Sequence, residues 1–249
     1  MLLHNATQSI LLPLLCKTLV LILCCLCKLL PIYIFASLVT QFWVSGMDMI
    51  LRLWKPILVC TGICAFFCAA KAVLVGLHFK VHPGRLLRVN LSAMLVGFTT
   101  ASSVSAFSLS SDICENKLGV SPALTRTELS IGGILYNAGY SALYVIIAFY
   151  AAECYGVAVN FVWLFLLWLL CSILCPATPP ISGGTLVCLG IMLTQLHIPM
   201  EALAISSTLS VLLDFICTGF RVSSLNLEVA LQADKLGMLD RTVLQKNCL

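Results

Sequence analysis

An acid and a base lie close together in one apolar run of this chain, with Asp214, Cys217, Thr218, Arg221 and Leu225 following one another at helical spacing. On an α-helix turning 100° per residue, the five fall within about 100° of one another and line a single stripe. A charge held in a bilayer costs at least ~2.5 kcal/mol, so such residues mark a solute pathway, a proton relay or an ion pair. Asp214 and Arg221 are two turns apart and cannot touch along the helix. In the plainer reading they satisfy each other through an intervening group or pair with neighbours. Ser102, Ser103, Gly183 and Gly184 form a second set, at the centres of two interrupted apolar stretches. A half-helix N-terminus offers free amides and the positive end of its dipole to a carboxylate, and free carbonyls suit a cation. Asn137, Ala138 and Gly139, with Gly132 and Gly133 just before them, suit a regular helix poorly. They point either to local unwinding or to close helix packing.

The elements that must carry these groups are unusual. The stretch from Asn160 to Ile198 is broken by Cys175-Pro176-Ala177-Thr178-Pro179-Pro180-Ile181-Ser182-Gly183-Gly184. Each arm has about fourteen residues, whereas a span needs ~20, so each arm enters the membrane and returns. The stretch from Val89 to Ser111 has the same form around Thr99-Thr100-Ala101-Ser102-Ser103 and Ser105. Non-helical backbone at membrane depth survives only where protein or a watery cavity satisfies it, and paired broken helices point to a transporter's midplane site. Glycine and proline that merely shape a buried turn are the competing reading, and it is the stronger one for Pro176, Pro179 and Pro180.

Composition fixes the class. A chain of 249 residues that is 61% hydrophobic and 10% charged, with mean hydropathy +1.07, is an integral membrane protein. Continuous apolar runs over about 10–46, 54–79, 129–152 and 202–233 predict four full spans beside the two re-entrant hairpins. The first run carries Lys17, Lys28 and Pro31 and is expected to begin at the interface. Neither a basic flank nor a small-residue cleavage site marks a removable signal peptide. Fourteen cysteines lie mostly inside apolar runs, where cysteine acts as a small buried hydrophobe. That reading covers Cys60, Cys64 and Cys68, at i, i+4, i+8 on one helical face, and the Cys24, Cys25, Cys27 cluster. His78, His82 and His197 have no clustered partners and imply no metal site. No catalytic or phosphate-binding motif is present, so an enzyme is not expected, and nothing suggests nucleic acid. Snorkelling accounts for Lys71 and Glu153.

Basic residues orient the chain, because short cytoplasmic loops are enriched in them. Lys80, Arg85 and Arg88 precede the first hairpin, Lys117 and Arg126 follow it, and Lys235, Arg241 and Lys246 lie beyond the last span. The turns flanking the second hairpin carry none. The first hairpin is thus expected to open from the cytoplasm, the second from outside, and the C-terminus to be cytoplasmic. Arg52 and Lys55, offset in part by Asp48, run against this scheme.

Several motifs in order carry a family resemblance. Thr100-Ala101-Ser102-Ser103, Glu115-Asn116-Lys117-Leu118-Gly119-Val120-Ser121, Ser141-Ala142-Leu143-Tyr144, Pro180-Ile181-Ser182-Gly183-Gly184, and Leu212-Leu213-Asp214 with Thr218 resemble the dicarboxylate/amino-acid:cation symporter family. Pro31-Ile32-Tyr33-Ile34-Phe35-Ala36 and Ala233-Asp234-Lys235-Leu236-Gly237-Met238-Leu239-Asp240 extend the likeness from about residue 28 to 240. The resemblance implies an all-α elevator transporter. Residues 1–79 would be scaffold-like, corresponding to family helices 5 and 6. Residues 80–249 would form the moving domain: hairpin 1 at about 86–115, helix 7 at about 127–153, hairpin 2 at about 160–198 and helix 8 at about 200–235.

The resemblance also assigns roles. The serine-rich tip at Ser102 and Ser103 would contact solute, as the Gly183-Gly184 turn is expected to from its place at the second break, Asp214 would bind an amino group with Thr218 beside it, and hairpin 2 would be the extracellular gate. The chain departs from the pattern at the cation sites. Asn137-Ala138-Gly139-Tyr140 stands where the family has Asn-Met-Asp-Gly-Thr, Cys217 replaces an arginine, Arg221 an asparagine and Leu225 an aspartate. The expected activity is symport of a small carboxylate-bearing solute, amino acid or dicarboxylate, across the cell membrane, with no cofactor and with the coupling cation, Na+ or H+, left open. Loss of the arginine at Cys217 favours neutral amino acids unless Arg221 supplies the charge. A homotrimer, or a complex with a separately encoded N-terminal scaffold, are the expected assemblies, because the family's first four helices have no counterpart here. The alternative is a truncated or split-gene member acting only as an interaction subunit or remnant.

Overall fold

A computed structural model describes residues 54–179 and 184–248, and their regular elements are helical. Among these residues the extended pairing is confined to an isolated antiparallel bridge between Val120 and Leu239. Helix α1 is Trp54–Phe79. Then follow α2 (Pro83–Thr100), α3 (Ser103–Asp112), a π-helical turn (Ile113–Lys117), α4 (Pro122–Leu135), α5 (Ala138–Tyr155), α6 (Phe161–Ala177), α7 (Thr185–Gln195), α8 (Ala202–Lys235) and α9 (Arg241–Cys248). Proline opens both α2 and α4, at the position where its missing N–H has no helical partner to lose.

Three of these stretches are long and apolar enough to cross a membrane: Trp54–Phe79, Pro122–Tyr155 taken across its break, and Ala202–Lys235. The fourth expected span, at about 10–46, lies outside the described residues. The shorter elements meet at interruptions. Helix α2 ends at Ala101, which adopts left-handed φ of 47°, and Ser102 is extended before α3 begins. Helix α4 stops at Tyr136, and α5 restarts after Asn137, within the glycine-rich segment that the sequence marks as a poor helix. Helices α6 and α7 are separate pieces of 17 and 11 residues, each too short to span.

Helix α8, at 34 residues, organises the rest and packs against α2, α5, α4 and α7. Its first half joins a core with α5, α6 and α7, through Leu209, Leu213 and Cys217. Its second half joins another core with α2, α3 and α4, through Val222, Leu227, Val229 and Ala230. The stripe from Asp214 to Arg221 crosses the boundary between the two.

Small residues allow the close crossing of α2 on α8. A Cβ on Gly219 would lie 3.0 Å from Phe98 Cβ and 3.1 Å from the Met94 carbonyl, and one on Gly97 would lie 3.0 Å from Val222 Cγ2. One turn further along, Asn226 Nδ2 donates to Asn90 Oδ1 at 2.9 Å, an interhelical bond of the kind that joins membrane helices. The C-terminal segment is fixed at Gly119, whose φ of 78° and close approach to the Asp240 carbonyl leave no room for a side chain. Asp240 caps α9 through the Thr242 hydroxyl and amide, which hold its carboxyl below the ordinary carboxylate range.

Gly219→Leu is expected to force α2 and α8 apart at a cost of about 1–3 kcal/mol, seen as a lower thermal midpoint in detergent. Gly62→Leu, on an exposed position of α1 with nothing within 4 Å, should not lower the midpoint and gains helix propensity.

Candidate functional site

All five stripe residues are buried, with Asp214 1% and Arg221 3% exposed. A buried carboxylate needs donors. Tyr140 of α5 supplies one, its hydroxyl donating to Asp214 Oδ1 at 2.7 Å. Thr218 Oγ1 lies 3.3 Å from that hydroxyl and 3.4 Å from the same carboxylate oxygen. Gly139, the residue before Tyr140, makes this approach possible, because a Cβ there would lie 3.2 Å from the Cys217 carbonyl. At Gly139 close packing is therefore the reason for glycine.

The break between α4 and α5 leaves carbonyls without helical partners. Arg221 takes them. Its Nε donates to the Tyr136 carbonyl at 3.1 Å, and its Nη2 donates to the Gly133 carbonyl. The guanidinium also lies over the Tyr140 ring, 5.5 Å from its centroid, while Nη1 is buried without a partner. Tyr140 is thus the intervening group between Asp214 and Arg221: its hydroxyl holds the acid and its ring carries the base. On the far side of the break, Lys71 of α1 donates to the Tyr136 hydroxyl at 2.7 Å and pairs with Glu228 of α8 at 2.5 Å. Lys71, for which the sequence suggests snorkelling, is thus engaged by two partners.

Asn137 ties the same break to the end of α6, its Nδ2 donating to the Cys175 carbonyl at 2.6 Å. Tyr144 adds a second tie, with its hydroxyl 2.6 Å from Thr178 Oγ1. Ser103 stands apart from the acid. Its hydroxyl is buried without a partner in the wall of a cavity of about 230 Å³ that Gly133 and Leu225 also line. Ser102 is the extended residue capping α3, and Gly184 caps α7 with helical φ and ψ. Gly183 lies outside the described residues, as does the Ala138 side chain. Of the residues singled out from sequence, the fold gathers Asp214, Thr218, Arg221, Cys217 and Gly139 together, with Asn137 at the neighbouring break.

Sequence reasoning gave no role to Tyr140 or to the Gly133 and Tyr136 carbonyls. Tyr140 and Tyr144 are among the largest fully buried side chains, and a buried tyrosine hydroxyl generally finds a partner. Their spacing of four on one helix was the available signal.

Residues 15–231 match the model of the sodium:dicarboxylate symporter family. The chain belongs to that family. A comparison with curated proteins finds no match. Membership makes the chain a sodium:dicarboxylate-type symporter at the family level and a transporter rather than an enzyme. Together with the three apolar helices it also establishes a membrane location.

Within this family member the guanidinium and the tyrosine hydroxyl should be separable by mutation. Arg221→Lys keeps the charge but not the fork that reaches two carbonyls. Tyr140→Phe removes a donor from a buried carboxylate. Each is expected to cost about 1–3 kcal/mol, read as a lower thermal midpoint in detergent, and a loss below 0.5 kcal/mol in both would contradict the assigned contacts.

Proposed function

We propose that this chain is a secondary active symporter of small carboxylate-bearing solutes, amino acids or dicarboxylates, in which Arg221 serves as a fixed cation in place of a mobile one. The observation that carries this reading is the pair of bonds from Arg221 to the Gly133 and Tyr136 carbonyls at a helix break. Carbonyls freed in this way are cation ligands in a broken-helix transporter. A guanidinium bonded to them repels a second cation by ~4 kcal/mol at 4 Å with an effective dielectric near 20, more than the 1.4 kcal/mol of a tenfold affinity change. The neutral Leu225 adds no compensating charge. Coupling then falls to a proton carried by Asp214, a buried acid beside the fixed base.

In the same reading, the protonated Asp214 carboxyl accepts from the solute's amino group through its carbonyl oxygen, with Thr218 beside it, and Tyr140 yields its bond to Asp214 as it does so. The unpartnered Arg221 Nη1 and the Ser103 hydroxyl offer donors to a carboxylate. Because Cys217 is uncharged, neutral amino acids are the favoured cargo. Residues 1–79 act as scaffold and 80–249 as the moving domain, with hairpins at about 86–115 and 160–198, in a multi-pass protein of the cell membrane with a cytoplasmic C-terminus. Its assembly is a homotrimer or a complex with a separately encoded scaffold.

Uptake of labelled serine, alanine and aspartate into proteoliposomes tests this proposal. At fixed pH, exchange of sodium for choline is expected to leave the rate within about twofold, whereas an acidic exterior should raise it in the unmodified chain and not in Asp214→Asn. A steep sodium dependence would refute the fixed-cation role. No uptake of any solute would favour the remnant or interaction-subunit alternative.

A further inference from the structure

Three thiols from two helices converge in the core. Cys60 Sγ lies 3.6 Å and Cys64 Sγ 3.9 Å from Cys217 Sγ, all three sulfurs lie within 4.8 Å of one another, and all three residues are buried. Cys60 and Cys64 are one turn apart on α1, and Cys217 faces them from α8. The sulfurs form a compact triangle rather than a line. A point equidistant from all three lies about 2.0 to 2.4 Å from each, a range that includes the ~2.3 Å of a metal–thiolate bond.

We propose that Cys60, Cys64 and Cys217 form a three-coordinate site for a soft monovalent metal ion, Cu(I). Among the described residues the cluster contains sulfur alone, with no His or carboxylate completing it. All-sulfur ligation selects soft ions, and structural zinc takes four ligands rather than three. Charge points the same way. One Cu(I) displaces one thiol proton to form a single S–Cu bond to thiolate, the other two sulfurs donate lone pairs as neutral thiols, and the filled site carries no net charge. A divalent ion would need two ionised thiols to reach neutrality in the same apolar surroundings. Access exists, since Cys64 lines a cavity of about 670 Å³ between α1, α5 and α8, which also provides an exit for the released proton. The bound ion would join α1 to α8 and so hold the proposed scaffold helix against the proposed moving domain. Cys68 lies one turn beyond Cys64 and turns instead to the Ser223 hydroxyl at 3.8 Å, which leaves it outside the site.

The test is a Cu(I) titration of the full chain in lipid nanodiscs without oxygen, with bicinchoninate as competitor. The fourteen cysteines make total uptake uninformative, so the readout is a difference. Cys217→Ser is expected to bind one equivalent fewer than the unsubstituted chain, Cys64→Ser to weaken that equivalent at least tenfold, and Cys68→Ser to match the unsubstituted chain. Copper X-ray absorption on the unsubstituted chain at one equivalent needs no variant to fold and should report three sulfurs at about 2.3 Å. Equal stoichiometry in Cys217→Ser, nitrogen or oxygen neighbours in the absorption spectrum, or tighter binding of Zn(II) at the same equivalent would overturn the proposal. So would a Cys60–Cys217 or Cys64–Cys217 disulfide in protein purified without reductant.

Discussion

A helix that stops inside a membrane protein must give its last carbonyls to something, because lipid offers no hydrogen bonds. In this chain the break at Tyr136 and Asn137 creates that demand, and Arg221 of α8 meets it with two donors from a single side chain. The bond works in both directions. The carbonyls give a buried guanidinium its partners, and the guanidinium makes an otherwise costly break stable. Much of the site follows from this pairing, since it fixes α4 against α8 and brings the Tyr140 ring under the base and its hydroxyl to Asp214.

A stripe that holds both an acid and a base needs a rigid carrier. Helix α8 provides it by running without interruption through two apolar cores, so that its polar residues sit where the cores meet. Close approach on both sides depends on glycine. Gly97 and Gly219 let α2 cross α8, and Gly139 lets α5 meet Cys217. Larger residues at Gly97 or Gly219 would push α2 away from α8 and stretch the Asn226–Asn90 bond, and one at Gly139 would move Tyr140 away from Asp214.

In the fixed-cation reading proposed above, the same arrangement would set this chain apart in physical terms. A mobile cation bound by helix-break carbonyls brings its charge only when present, whereas an arginine holds that charge permanently and cannot leave with the cargo. In that reading the resting electrostatics of the site would be set by the polypeptide.

The sequence by itself determined the membrane class, the broken helices and the stripe, because these are local properties. Apolar run length decides what can span, glycine and proline decide where helices stop, and a 100° rotation per residue decides which side chains share a face. It also placed Asp214, Thr218 and Arg221 together, since one helix carries them all. Partners on other helices were not legible. That Arg221 would reach Gly133 and Tyr136, that Tyr140 would stand between acid and base, that Lys71 would pair with Glu228, and that Cys60 and Cys64 would meet Cys217 across more than 150 positions all depend on how α1, α4 and α5 dock on α8. Docking is set by side-chain packing at particular crossing points, a property of pairs of surfaces that no single helix encodes.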